Sequence, residues 1–152
     1  MVIFTFIKRI GLITNENKLS EKDDNVKPEF HKQLDDFLAN GNHKYQTVQK
    51  LVCVHVIERI YRRVKLGYGH HFGGIKVNIE ENLIIDGNHR YIAYEMAGFE
   101  YEVIPQGKNH CDQPPYRDIK KFSVDYEFDW DMAQPDTRKF CNDDFLKDLD
   151  IK

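Results

Sequence analysis

Residues 75–105 follow an order that few folds can accommodate. Ile75, Val77 and Ile79 fall on one face of an extended segment, and Glu80-Glu81-Asn82 supplies a turn. Leu83, Ile84 and Ile85 then lead to Asp86 as a second strand. Gly87-Asn88 opens a helix carrying Tyr91, Ile92, Tyr94 and Met96, and Gly98 closes it. Residues 100–105 form a third strand with Tyr101 and Val103 on one face. Any fold for this chain must therefore house the succession strand, turn, strand, tight loop, helix, strand.

The flanking sequence is read by the same rules. Residues 2–14, rich in Ile, Phe and Val, predict one strand or a short hairpin, and the polar run 15–27 predicts a surface loop. Pro28 begins a helix of about three turns, with Phe30, Leu34, Phe37 and Leu38 on one face and Gly41 as its stop. Val48, Leu51, Val52, Val56, Ile60 and Val64 predict one long helix over 45–66, ending at Gly67. Residues 68–74 and 106–115 read as loops. Residues 122–130 alternate aromatic with acidic side chains and predict one half-buried strand, and 143–149 predict a short terminal helix. With 152 residues and no internal repeat or linker, the chain predicts a single domain over 1–152.

Charge is unevenly spread. The net charge is −3, yet residues 44–76 hold seven basic groups and only Glu58 as an acid. Arg59, Arg62 and Arg63 crowd the last turns of the predicted long helix, where they would attract anions or simply complement the helix dipole. Residues 112–152 carry eleven acids against seven bases, an acidic and aromatic extension. Such a segment would repel a DNA backbone, so long DNA is a poor expected partner. The alternative is a basic helix face neutralised by the acidic segment folded on it.

Asp86-Gly87-Asn88-His89-Arg90 stands between a strand and a helix N-terminus, and this is an anion cradle in physical terms. Gly87 permits a tight turn, and the first helix amides have no intrahelical acceptor and carry the positive end of the dipole. Arg90 can grip phosphate or carboxylate oxygens with two N–H groups. His89 can donate to the same oxygens or act as an acid near neutral pH. Asp86 can cap the helix or hold Mg²⁺ beside the phosphates, with Glu58 and Glu95 as weaker ligand candidates. The same motif also reads, more plainly, as a structural helix start.

The run 75–105, with its Gly87-Asn88-His89-Arg90 loop, Ala93 inside the helix and Ala97-Gly98 at its end, resembles the core of the ParB/sulfiredoxin superfamily. That family includes CTP-binding chromosome-partitioning proteins, sulfiredoxins, a free-serine kinase and plasmid proteins described as nucleases or ATPases. The resemblance implies an α+β (α/β) fold, a small mixed sheet flanked by helices. It also implies nucleotide-phosphate binding by Gly87, Asn88, His89 and Arg90, within a core of about 45–105. Two departures are plain. Asn88 stands where sulfiredoxins carry their catalytic cysteine, and an acidic extension over about 112–152 replaces the DNA-reading helices of the partitioning proteins. Sulfinic-acid reduction and a sliding DNA clamp are therefore not expected.

The remaining chemistry is thinner. His70 and His71 precede the first core strand, where one of them could touch phosphate or move a proton; otherwise they cap the helix before them. Together with His89 and Asp86 they are the catalytic candidates. His70, His71, His89, His110 and Cys111 lack the spacing of a zinc site, so no structural zinc is expected. Neither Ser20 nor Ser123 sits in a nucleophile-elbow setting. Cys53, Cys111 and Cys141 read as ordinary thiols of a reducing compartment. No run reaches the ~18 apolar residues of a membrane span, and the apolar N-terminus lacks the features of a signal peptide, so a cytoplasmic location is expected. The expected ligand is a nucleoside triphosphate or another phosphorylated small molecule, with phosphoryl transfer or hydrolysis as the reaction. Two other classes remain. One is a nuclease or nucleic-acid-directed toxin using 44–76 as its track; the other is a non-catalytic module that docks a protein partner through its acidic segment.

Overall fold

The computed structural model describes residues 27–133. The strand expected over 2–14 and the helix expected over 143–149 lie outside them, as does Cys141. Helix α1 (Pro28–Asn40) starts on a first-turn proline and buries Phe30, Leu34 and Leu38, the face its spacing predicts. Strands β1 (Gln46–Thr47) and β2 (Leu51–Cys53) precede helix α2 (Val54–Lys65). After a 3-10 turn at Gly69–His71 come β3 (Ile75–Asn78), β4 (Leu83–Asp86), α3 (Asn88–Ala97) and β5 (Val103–Pro105). The described chain closes with β6 (Arg117–Asp118), a second 3-10 turn at Ile119–Lys121, β7 (Ser123–Asp125) and the short α4 (Trp130–Ala133).

The fold is α+β. A mixed sheet runs β5-β3-β4-β1-β6, antiparallel between β3 and β4 and between β1 and β6, parallel at its other two pairings. A smaller parallel pair joins β2 to β7, with Val52 opposite Val124. Ile75, Val77 and Ile84 face a core shared with Ile57 and Ile60 of α2 and Ile92 and Ala93 of α3, all buried. Helix α1 lies alongside, with Phe30 and Tyr61 rings 5.2 Å apart.

The long helix expected over 45–66 begins only at Val54, and the reason is local. The Gln49 amide donates to Thr47 Oγ1 at 3.0 Å, a side-chain acceptor that displaces helical pairing. Gln46 is drawn into the sheet between β4 and β6, and Cys53 is extended at φ −102°. Sheet pairing thus overrides an apolar spacing that suits a helix equally well. Helix α2 ends as expected: Gly67 at φ 99° lets its own amide reach Val64 O at 3.0 Å and the Tyr68 amide reach Arg63 O at 3.0 Å. The strand expected over 122–130 is likewise shortened to three residues. Asp125 Oδ1 accepts the amides of Glu127 and Phe128, each at 3.0 Å, and turns the chain. No helix among the described residues is long and apolar enough to cross a membrane.

Candidate functional site

The end of β4 delivers Asp86 and Gly87 to the head of α3. Gly87 holds φ 107°, and an added Cβ would lie 3.0 Å from both Arg90 Nη2 and Ile75 Cδ1. No side chain caps this helix N-terminus, so Asp86 does not take the capping role open to it. Its carboxylate is 58% exposed and accepts from Arg90 Nη2 at 3.2 Å. Arg90 Nη1 also donates to Phe72 O at 2.9 Å, and Tyr94 Oη donates to Gly73 O at 2.6 Å. Helix α3 thereby ties the 72–73 loop to the end of β4.

Above this helix head opens a cavity of about 470 Å³. Asp86, Gly87, Asn88, His89 and Arg90 all line it, joined by His71. The five motif residues expected from sequence are thus brought together, with one of the two loop histidines. His70 is not there. It packs edge-on to Phe99 at 5.2 Å and borders a separate hollow of about 120 Å³.

Asn88 is 8% exposed. Its Nδ2 donates to Gln49 Oε1 at 3.0 Å, and Gln49 Nε2 donates to Leu51 O at 2.6 Å. The buried Asn88 Oδ1 has no hydrogen-bond partner among the described residues.

His89 departs from expectation. Its Nε2 accepts the Cys53 amide proton at 3.0 Å, which leaves the ring proton on Nδ1. Burial, and then the Arg90 cation beside it, push its pKa down to about 4. At neutral pH it is an uncharged imidazole with one committed nitrogen. In that state only Nδ1–H is left to donate.

The three arginines of α2 are also placed differently from expectation. None lines the cavity. Arg59 is 1% and Arg63 0% exposed, so neither offers a surface charge. Arg59 grips Asp129 with both terminal nitrogens, the Nη1 contact to Oδ1 measuring 2.8 Å. Burial pushes the Asp129 carboxyl up, but the Arg59 guanidinium, together with His55 and the Asp131 amide, holds the group below the usual carboxylate range. Arg62 Nε lies 3.6 Å from Glu58 Oε2, one helical turn back.

Seven cavity residues were not foreseen, among them Gln49, Phe72, Trp130 and Asp131. Gln49 hid inside an expected helix. Trp130 carried a signal in being the chain's single tryptophan, set between two aspartates. Its ring meets His89 edge-to-face at 5.4 Å, and its Nε1–H donates to Asp125 Oδ2 at 2.8 Å.

Cys53 is buried and Cys111 exposed, and both are free thiols. Burial pushes the Cys53 thiol pKa up, away from the reactive thiolate. No group of three or more His, Cys, Asp or Glu among the described residues is arranged to hold a metal ion. Glu95, a weaker candidate ligand, instead accepts from Tyr101 Oη at 2.7 Å. Compared with known proteins, the chain matches no family model, no curated protein and no solved structure.

Proposed function

We propose that this protein binds a nucleoside triphosphate or a similar phosphate ligand over the head of α3, and that it catalyses phosphoryl transfer or hydrolysis there. One observation carries the reading: an uncapped helix N-terminus, opened by Gly87 and flanked by Arg90, forms one side of a cavity of about 470 Å³. Backbone amides and a guanidinium at one open cavity suit oxygen-rich anions. The resemblance of the 87–90 loop to the phosphate-binding loop of the ParB/sulfiredoxin superfamily points the same way.

Positive charge comes from the helix and Arg90, because His89 is neutral. With two of its five N–H groups engaged by Phe72 O and Asp86, Arg90 keeps donors for a ligand. His71 and Asp86 remain as proton-transfer candidates on the cavity. A Mg²⁺ ion would arrive with the phosphates, and Asp86, its carboxylate largely open to solvent, is the protein ligand that fits.

Thermal unfolding with ATP, ADP, CTP and GTP, with and without Mg²⁺, tests the reading. At about 100-fold over its Kd, a bound nucleotide should raise Tm by roughly 5–10 °C. Calorimetry should show Arg90→Ala weakening that nucleotide by about tenfold or more. Absence of a shift with every nucleotide, or equal affinity in Arg90→Ala, removes the proposal. Cleavage of DNA or RNA that Arg90→Ala abolishes would put the nuclease reading in its place.

A further inference from the structure

The cavity has two chemically distinct sides. Gly87 and Arg90 bring the head of α3 and a guanidinium to the lining, whereas Val56, Ile60, Phe72 and Trp130 bring apolar side chains. A bare phosphate group needs only the first side. Its complement on the second is an apolar group covalently joined to the anion, and a volume of about 470 Å³ accommodates both.

Trp130 narrows the apolar group further. Its indole N–H is already spent on Asp125 Oδ2 at 2.8 Å, and Asp125 is itself fixed by the amides of Glu127 and Phe128. The neighbouring Asp129 is held by buried Arg59, and on its other side the indole abuts the His89 ring. The ring is therefore immobilised with no donor left for a ligand. What it offers is carbon and π surface, which suits a flat aromatic ring and costs little ordering on binding.

Resting on the phosphate-site reading above, we infer that the ligand carries a planar nucleobase that packs on Trp130. The substrate class is then a nucleotide, as opposed to a sugar phosphate or an inorganic phosphate chain. Because stacking reads the π face in preference to the hydrogen-bonding edge, Trp130 supplies affinity for a base without choosing among bases.

Calorimetry on the full chain with Mg²⁺ compares ATP, GTP, CTP and UTP with inorganic tripolyphosphate and ribose 5-phosphate. At least one nucleotide should bind about fivefold tighter than tripolyphosphate, the lower end of what one stacked base contributes. The same titration should change the fluorescence of the chain's single tryptophan. Trp130→Phe should keep most of the advantage. Trp130→Ala should reduce the nucleotide to the affinity of tripolyphosphate and leave tripolyphosphate binding unchanged. Nucleotides binding no tighter than tripolyphosphate in the wild-type protein overturn the inference and leave the phosphate site standing, and this comparison needs no variant to fold. A Trp130→Ala loss shared equally by nucleotide and tripolyphosphate overturns it as well. If tripolyphosphate and nucleotides all fail to bind, the cradle and the base site fall together.

Discussion

His89 shows how one hydrogen bond fixes the charge of a site. Its Nε2 can accept the Cys53 amide only while unprotonated, so protonation must break the contact that joins the heads of α2 and α3. The folded pKa of about 4 lies below the ordinary 6.5. Between those two values the unfolded chain takes up a proton that the folded chain refuses, so stability rises with pH across that window. The His89 contribution, on the order of 3 kcal/mol, is complete above about pH 6.5 and fades as pH falls toward 4. Urea midpoints measured at several pH values should fall more steeply for wild type than for His89→Gln; parallel slopes would remove this account. Gly87 and Arg90 were legible in sequence because a tight turn and a cation beside a helix start are local properties. The tautomer of His89 was not, because its partner lies 36 residues away.

At the scale of elements, spacing located α1, β3, β4 and α3 but misread 45–53 and 122–130. Over 45–53 the apolar pattern suits either period, and the outcome is decided by pairing partners distant in sequence: Leu83 and Asp118 for Gln46, and Val124 for Val52. Over 122–130 the strand is present but cut short where Asp125 Oδ1 accepts the amides of Glu127 and Phe128. The junction of α2 with the turn after β7 rests on Arg59 and Asp129. Removing one member of a buried ion pair costs about 3–5 kcal/mol, most of it desolvation no longer compensated. Asp129→Ala should therefore lower the unfolding free energy measured in urea by an amount near the bottom of that range, since Asp129 keeps 16% exposure. Combining it with Arg59→Met should recover part of the loss. A midpoint for Asp129→Ala within error of wild type would show that the pair holds nothing.

Across the whole molecule, two of the seven basic groups of 44–76 are withdrawn from the surface that their count suggests. Arg59 and Arg63 are buried, and Arg59 answers a carboxylate from the acidic C-terminal stretch, as the balanced-charge alternative requires. Net charge by segment could show the imbalance but not which side chains would be withdrawn from solvent. A protein built this way should bind duplex DNA poorly. Fluorescence anisotropy with a labelled duplex should stay flat to protein concentrations of about 10 μM at physiological salt, where non-specific binders reach half-saturation at ~1–100 μM. A salt-sensitive complex at or below about 1 μM would reinstate the track.

The parallel pairing of β2 with β7, secured by Arg59 and by the Cys53 thiol donating to Phe128 O at 3.2 Å, has a thermodynamic corollary. The cavity is lined by residues between 49 and 90 and by Trp130 and Asp131, which belong to the last segment among the described residues. Occupancy of the proposed ligand site and docking of that segment would consequently be linked functions. Whatever factor a ligand gained from the docked segment, the segment would gain from the ligand, which would then act as a reversible fastener for that segment.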